Sequence, residues 1–376
     1  MARMIFVSLF QEHDIRLRLM LSAVSYTTRQ QPQISFGHML GYYTRDFRAS
    51  NPGAAADYLA LICLNSDVQG EQGKRQTQLC HEALRELVLE TREFAQLLGD
   101  IRNDGQRIKG AIEQRLKLIR IDNEQTFLRQ ITIGAAQIAD ENGRITDAVL
   151  LYHLAEEYDD VIAVCCRAVS DATSTEPGDA PVRLEPLKPR QPENKSGAPV
   201  PAHQQEGSLS LTAVDDPAAL ARNMISLYRS NTLMYSKIKP SNRGLIELLL
   251  GVAEAKTTIE AGRWALALDQ ISALNLLPIN ANGRVSAIRD RAQTFNTLPH
   301  LVSRNIGNLL IWTISAAGKQ RELLRESDFE PERQRVADHC LQVAKDTMVF
   351  AGLVRYKLPP RVFEVLARVG GDVGAY

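Results

Sequence analysis

Apolar residues recur every three to four positions along most of this chain, and no run of alternating β-branched residues interrupts them. That period predicts amphipathic helices throughout and an all-α fold. Helix starts are marked where proline follows a capping residue. Asn51-Pro52 opens the run ending in LALICL, and Asp216-Pro217 opens AALARNMISLY, whose Leu220, Met224, Leu227 and Tyr228 share one face. Between Asn123 and Glu141 the same period places Leu128, Ile131, Ala135 and Ile138 together, before a stop at Asn142-Gly143. Further helices are expected near 218–230, 243–261, 263–276, 284–297, 299–325, 332–351 and 360–369, punctuated by Pro278, Pro299, Pro331 and Pro359-Pro360.

One spacing occurs twice. Gly143 precedes Ala148 by five residues, as Gly262 precedes Ala267, each after a helical run. Both stretches read as helical hairpins whose small residues let two backbones approach, and stacked hairpins build an elongated α-solenoid of antiparallel helix pairs. Between about Asp171 and Leu211 the character changes, with seven of the sixteen prolines and almost nothing to seed a core. The expected organisation is an N-terminal helical block, 1–170, a proline-rich flexible linker or insertion, 171–214, and a C-terminal helical block, 215–376.

Composition narrows the function classes. Hydrophobic residues make up 44% and charged residues 23%, ordinary values for a folded protein, so the chain can bury a large core. Lysine plus arginine equals aspartate plus glutamate at 44 each, so no global field attracts nucleic acid or anionic lipid. The local cluster Arg115, Lys117 and Arg120 reads as a solvated helix face. The five cysteines lack framework spacing and read as reduced core residues. The apolar stretch Met4–Phe10 is too short for a signal peptide centre or a membrane span, and it resembles a helix entered part-way, as if the sequence continued something longer.

Catalytic chemistry finds no foothold. The tail glycines Gly370, Gly371 and Gly374 lack the strand-loop-helix context of a phosphate cradle and read as a frayed terminus. Cys80-His81 and His339-Cys340 are adjacent pairs that point about 100° apart on a helix, so neither chelates a metal alone. Each cysteine is expected to face the core and each histidine the solvent boundary. Asp159-Asp160 reads as a helix N-cap with dipole support. These absences point to a protein that is not an enzyme and needs no cofactor or metal.

The segment HMLGYYTRDFRASNPGAAADYLALICLN, residues 38–65, carries a family signature: paired Tyr42-Tyr43, then Thr44, Arg45, Phe47, the Asn51-Pro52 restart and Asp57-Tyr58-Leu59. It resembles the Nic-type scaffold nucleoporins, the inner-ring linker subunits of the nuclear pore complex. Residues 86–114 look like that family's next helix pair with Asn103-Asp104-Gly105 at the turn, GRITDAVLLYHLAEEYDDVI matches its hairpin, and VFAGLVRY, 349–356, resembles its terminal helix. The resemblance covers nearly the whole chain in unchanged order. It implies a structural α-solenoid at the nuclear envelope that supports nucleocytoplasmic transport of protein and mRNA.

It also implies partners. The family bridges large scaffold nucleoporins, the channel nucleoporin trimer and a small membrane-associated linker nucleoporin. The first two contacts use a short N-terminal segment without a counterpart here, so they are not carried onto this chain. The solenoid receives a short peptide of the linker nucleoporin, and a stack of hairpins offers grooves where an amphipathic peptide lays its apolar side chains. Trp264, Trp312, Phe350 and Tyr356 are the candidate groove residues, against the bland reading that aromatics on amphipathic helices fill the core. A membrane-coat or vesicle-tethering solenoid shares the packing logic, but is not expected to reproduce the paired-tyrosine motif and its downstream order.

Overall fold

The computed structural model describes residues 36–66, 70–101, 107–175, 180–187, 212–326, 331–358 and 360–374. The expected helical stretch at the N-terminus and most of the proline-rich segment lie outside them. The described chain is all-α apart from one small hairpin, and it divides into two compact units. One takes the described residues of Met1–Glu157 and Pro186–Ala213, the other Tyr158–Glu185 with Val214–Tyr376.

The first unit begins with α1 (Phe36–Arg45), α2 (Pro52–Ala60), a 3-10 turn and the long α3 (Glu71–Thr91). Asn51 caps α2 as its sequence predicts, accepting the Ala54 N–H at 3.0 Å. The paired-tyrosine segment packs through an edge-on triad, Tyr43, Phe47 and Tyr58, with ring centroids 5.2 to 5.7 Å apart. Behind it the buried Arg48 guanidinium reaches Glu90 at 2.5 Å, Glu86 at 3.3 Å and the Gly41 carbonyl at 3.3 Å. The motif is therefore a fastening of α1 onto α3, and of its aromatic residues Tyr42 projects into solvent.

Residues 86–114 do not form the expected helix pair. After α4 (Phe94–Leu98) the chain makes strands β1 (Gly99–Ile101) and β2 (Arg107–Lys109), paired antiparallel with Gly99 opposite Lys109. Asn103-Asp104-Gly105 lies between these strands, outside the described residues. An Asp-Gly step is a strong short-range hairpin signal, and the surrounding helical period masked it.

The run from Asn123 also departs from expectation. Asn123 caps α5 (Glu124–Phe127), bonding Thr126 N–H at 2.8 Å, but Leu128–Ile133 then winds as a π-helix before α6 (Gly134–Glu141) resumes. A π turn holds one residue more than an α turn, so it rotates everything after it. Ala135, Ala136 and Ala139 consequently face inward, while Ile138 turns out to 37% exposure.

The repeated glycine spacing is a repeated helix ending. Between α6 and α7 (Ile145–Leu154), Gly143 N–H bonds the Asp140 carbonyl at 3.0 Å and Arg144 N–H the Ala139 carbonyl at 2.9 Å. In the second unit, between α11 (Pro240–Glu260) and α12 (Trp264–Ala273), Gly262 bonds Ile259 at 2.9 Å and Arg263 bonds Thr258 at 3.1 Å. Both are Schellman caps with the glycine left-handed, at φ of 71° and 72°. Close approach is not what these glycines provide: a Cβ at Gly143 would meet nothing within 4 Å. Near the second of these endings the small residue that does permit close packing is Gly251 on α11, where a Cβ would lie 2.4 Å from Leu274 Cδ2. Gly143→Ala or Gly262→Ala is expected to cost about 1 kcal/mol, the strain of a left-handed alanine. A urea unfolding midpoint checks this; a several-fold larger loss would assign the glycines a packing role after all.

The second unit opens with α8 (Tyr158–Ser174), so the division falls after Glu157 rather than near residue 170. The reason is packing: α8 lies against α9 (Pro217–Ser230) and α11. Asp216 caps α9 through Ala218 and Ala219 N–H as expected, and Leu220, Met224 and Tyr228 are buried. After α10 (Thr232–Ser236), α11 and α12 come α13 (Val285–Phe295), α14 (His300–Ser303), α15 (Ile306–Glu326), α16 (Pro331–Leu353) and α17 (Pro360–Val373). Of the tail glycines, Gly370 and Gly371 are not frayed, since α17 runs through them. Buried side chains at and just before the start of α15 stitch this unit together: Asn305, in the turn after α14, accepts from the Thr173 hydroxyl at 2.8 Å, and Asn308 donates to the Thr173 and Thr175 carbonyls at 3.0 and 2.8 Å. Asn308 thereby satisfies carbonyls that the end of α8 leaves unpaired.

Candidate functional site

The four aromatic candidates separate by burial. Trp312 on α15 is 7% exposed and Phe350 on α16 is fully buried, edge-on to Phe295 with centroids 5.9 Å apart. Both are core residues and present no face to a partner. Trp264, at the first position of α12, and Tyr356, beyond α16, are half-buried. Tyr356 leans on His300 with centroids 6.1 Å apart. Two residues past Trp264, Leu266 is 45% exposed, while Ala267 and Ile271 turn inward. Trp264 and Leu266 are thus separate apolar side chains on α12, about 200° apart around the helix and flanking its buried seam. Val349 and Leu353, four residues apart on α16, are also exposed and went unnoticed in the sequence, where the helical period shows an apolar stripe but not which neighbour covers it.

Titratable groups sort into structural roles. All five cysteines are free and buried, and burial raises the thiols of Cys165 and Cys166, the latter to about 12. His339 is exposed as expected, but His81 is buried, with Nε2 2.8 Å from the Ile119 carbonyl. Asp159 does not serve its own helix. Its carboxylate accepts Lys239 N–H at 2.9 Å and Asn242 Nδ2 at 2.8 Å, capping α11 from across the packing. Partial burial opposes its ionisation, but these hydrogen bonds and the Lys239 charge outweigh it and hold the carboxyl below its ordinary value. Among the described residues no three His, Cys, Asp or Glu side chains converge as a metal would require, and no helix is long and apolar enough to cross a membrane.

His153 carries the largest consequence for pH. Burial at the end of α7 pushes its imidazole down to about 4, against the raising pull of Asp100 and Glu156. The unfolded chain therefore binds the proton first, so stability is complete above the ordinary histidine value near 6.5 and falls as pH drops toward 4. The loss expected from this one group is about 3 kcal/mol, read as a falling urea midpoint that His153→Gln flattens over that window.

The helical frame, rather than a reactive cluster, is what comparison recognises. A family model described as Nup93/Nic96 matches residues 9–365. The chain belongs to the Nup93/Nic96 family. It is 49% identical over 352 residues to nucleoporin NIC96 of Chaetomium thermophilum, covering 93% of this chain and 32% of that protein. The NIC96 of Saccharomyces cerevisiae is 36% identical over 349 residues, covering 93% and 38%. Nuclear pore complex protein Nup93 of Xenopus tropicalis is 24% identical over 331 residues, covering 86% and 34%. The crystal structure of Chaetomium thermophilum Nic96 SOL superposes with a TM-score of 0.76 at 48% identity, covering 92% of this chain and 48% of that one. The Nup93/Nic96 chain described here thus spans about a third of the length of these curated relatives.

Proposed function

We propose that this chain forms part of the structural frame of the nuclear pore complex inner ring, at the nuclear envelope, where its stacked helices hold other nucleoporins in place. The observation that carries the reading is the alignment with nucleoporin NIC96 at 49% identity along 93% of the chain. A membrane-coat solenoid would share helix stacking without that match. The family is one of structural nucleoporins, so no enzymatic role is assigned. Contacts with the large scaffold nucleoporins and the channel trimer belong in this reading to the parent protein.

For this chain the partner proposed is a short amphipathic peptide of the small membrane-associated linker nucleoporin, docked against α12 at its accessible apolar residues Trp264 and Leu266. Half-exposed aromatics beside aliphatic residues are the usual anchors of such contacts. Isothermal titration of that peptide against the folded chain tests it. Saturable binding is expected, and Trp264→Ala or Leu266→Glu should each weaken it by about tenfold with unchanged circular dichroism. No heat with wild type, or full affinity in both variants, removes the assignment. A fluorescent fusion of the parent protein that fails to mark the nuclear rim would remove the broader reading.

A further inference from the structure

Two unusual features of the first unit meet at one solvent-open cavity. It has a volume of about 440 Å³, and its wall includes Ser66, Lys74, Thr77, Gln78, Arg120 and Gln130. Arg120 has a left-handed backbone, φ 57°, a conformation an arginine adopts only at a cost. Gln130 belongs to the π-helical turn, an irregularity found often at functional sites. Arg120 does not sit on the solvated helix face that Arg115, Lys117 and Arg120 suggest in the sequence, since 116–120 is a series of turns. Strain of this kind persists where the surroundings impose it, and it clusters at ligand clamps.

The chemistry of the wall is that of a donor set. Arg120 Nε donates to Ser66 Oγ at 2.8 Å, and Ser66 Oγ donates in turn to the Cys63 carbonyl at 2.6 Å. That chain of bonds orients the guanidinium and leaves its two terminal nitrogens for another acceptor. Arg85 Nη1 ties the Gln130 carbonyl at 3.0 Å and adds a second guanidinium behind the wall. Lys74 brings an ammonium from α3, paired among the described residues with the exposed Glu71 at 3.5 Å. Gln78 and Gln130 supply amides, and Thr77 a hydroxyl. Among the described residues no carboxylate lines the cavity.

We propose that this cavity binds a phosphate monoester, with Arg120 and Lys74 as its charged ligands and Ser66 as the residue that positions Arg120. A planar fork and a point charge converging on one space suit a compact dianion. Such a group is borne by a phosphorylated serine or threonine of a partner protein, or by a soluble inositol phosphate. The proposal stands apart from the docking on α12 and can fail or hold without it.

Titration of the whole chain, followed by calorimetry and amide chemical shifts, separates the outcomes. The probes are inorganic phosphate, a short serine peptide in phosphorylated and unmodified forms, and inositol hexakisphosphate. A phosphate probe is expected to saturate where the unmodified peptide does not. Lys74→Glu and Arg120→Asn should each weaken binding by about tenfold or more, because each removes a charge-assisted hydrogen bond. Asparagine tolerates the left-handed backbone, and Lys74 is exposed on α3, so both variants test binding in a folded chain. Stronger binding of the phosphopeptide assigns a phosphorylated partner; stronger binding of the inositol phosphate, with the same losses in the variants, assigns a soluble one. No saturation by any phosphate probe, or wild-type affinity in both variants, overturns the site.

Discussion

Asp147→Ala is expected to remove about 3 kcal/mol of stability, the low end of the range for breaking a buried ion pair. Asp147 lies in the first turn of α7 with its side chain fully buried. Arg92, the left-handed residue that ends α3, gives its Oδ1 two hydrogen bonds, from Nε at 3.1 Å and Nη2 at 2.8 Å. The Arg144 guanidinium pairs with Oδ2 and also donates to the Leu89 carbonyl at 2.9 Å. One carboxylate therefore joins the end of α3 to the start of α7, at a helix N-terminus where negative charge is favoured. The low end applies because Arg92 and Arg144 are 25% and 31% exposed and can recover water once the partner is gone. Glu247→Ala is the control, since its pair with Arg229 is half exposed on both sides and is expected to contribute under about 0.5 kcal/mol. Urea unfolding of both variants, fitted without assuming that the two units unfold together, decides the matter. Equal midpoints would show that the Asp147 network adds nothing beyond a surface pair.

Gly110→Ala is expected to cost about 4 kcal/mol, from overpacking and from loss of flanking backbone hydrogen bonds. A Cβ at Gly110 would lie 2.3 Å from Gly99 N, 2.4 Å from the Leu97 carbonyl oxygen and 2.4 Å from Leu98 C. All three are backbone atoms, so no rotamer change can relieve the clash. Gly99 is its counterpart, with a Cβ position 2.0 Å from the Ile108 carbonyl oxygen and φ of 97°. Beyond Gly110 the chain runs back along α4, with Ala111 N–H on Gln96 at 2.8 Å and Ile112 N–H on Leu97 at 2.9 Å. Separating the backbones by the width of a methyl group strains both bonds. Gly251→Ala is the informative contrast: its nearest neighbour is the movable end of Leu274, and the expected loss is about 1 kcal/mol. If both variants unfold at the same urea concentration, the base of the hairpin is more pliant than its geometry indicates.

Local chemistry made much of this protein legible in its sequence. The caps at Asn51 and Asp216 and the helix stop at Asn142-Gly143 depend on residues within one turn of each other, and they appear where the sequence places them. The family follows from the same ordered segments. Tertiary packing decided the rest. Whether Trp312 or Trp264 meets solvent depends on which helices cover it. Asp159 lies eighty residues before the helix it caps. The π turn that displaces Ile138 bonds Arg85 through its Gln130 carbonyl, and Arg120 and Lys74 meet at one cavity only because distant turns place them there. Periodicity records that a face is buried; only the neighbours that arrive from elsewhere in the chain determine what buries it and which side chains are left for a partner.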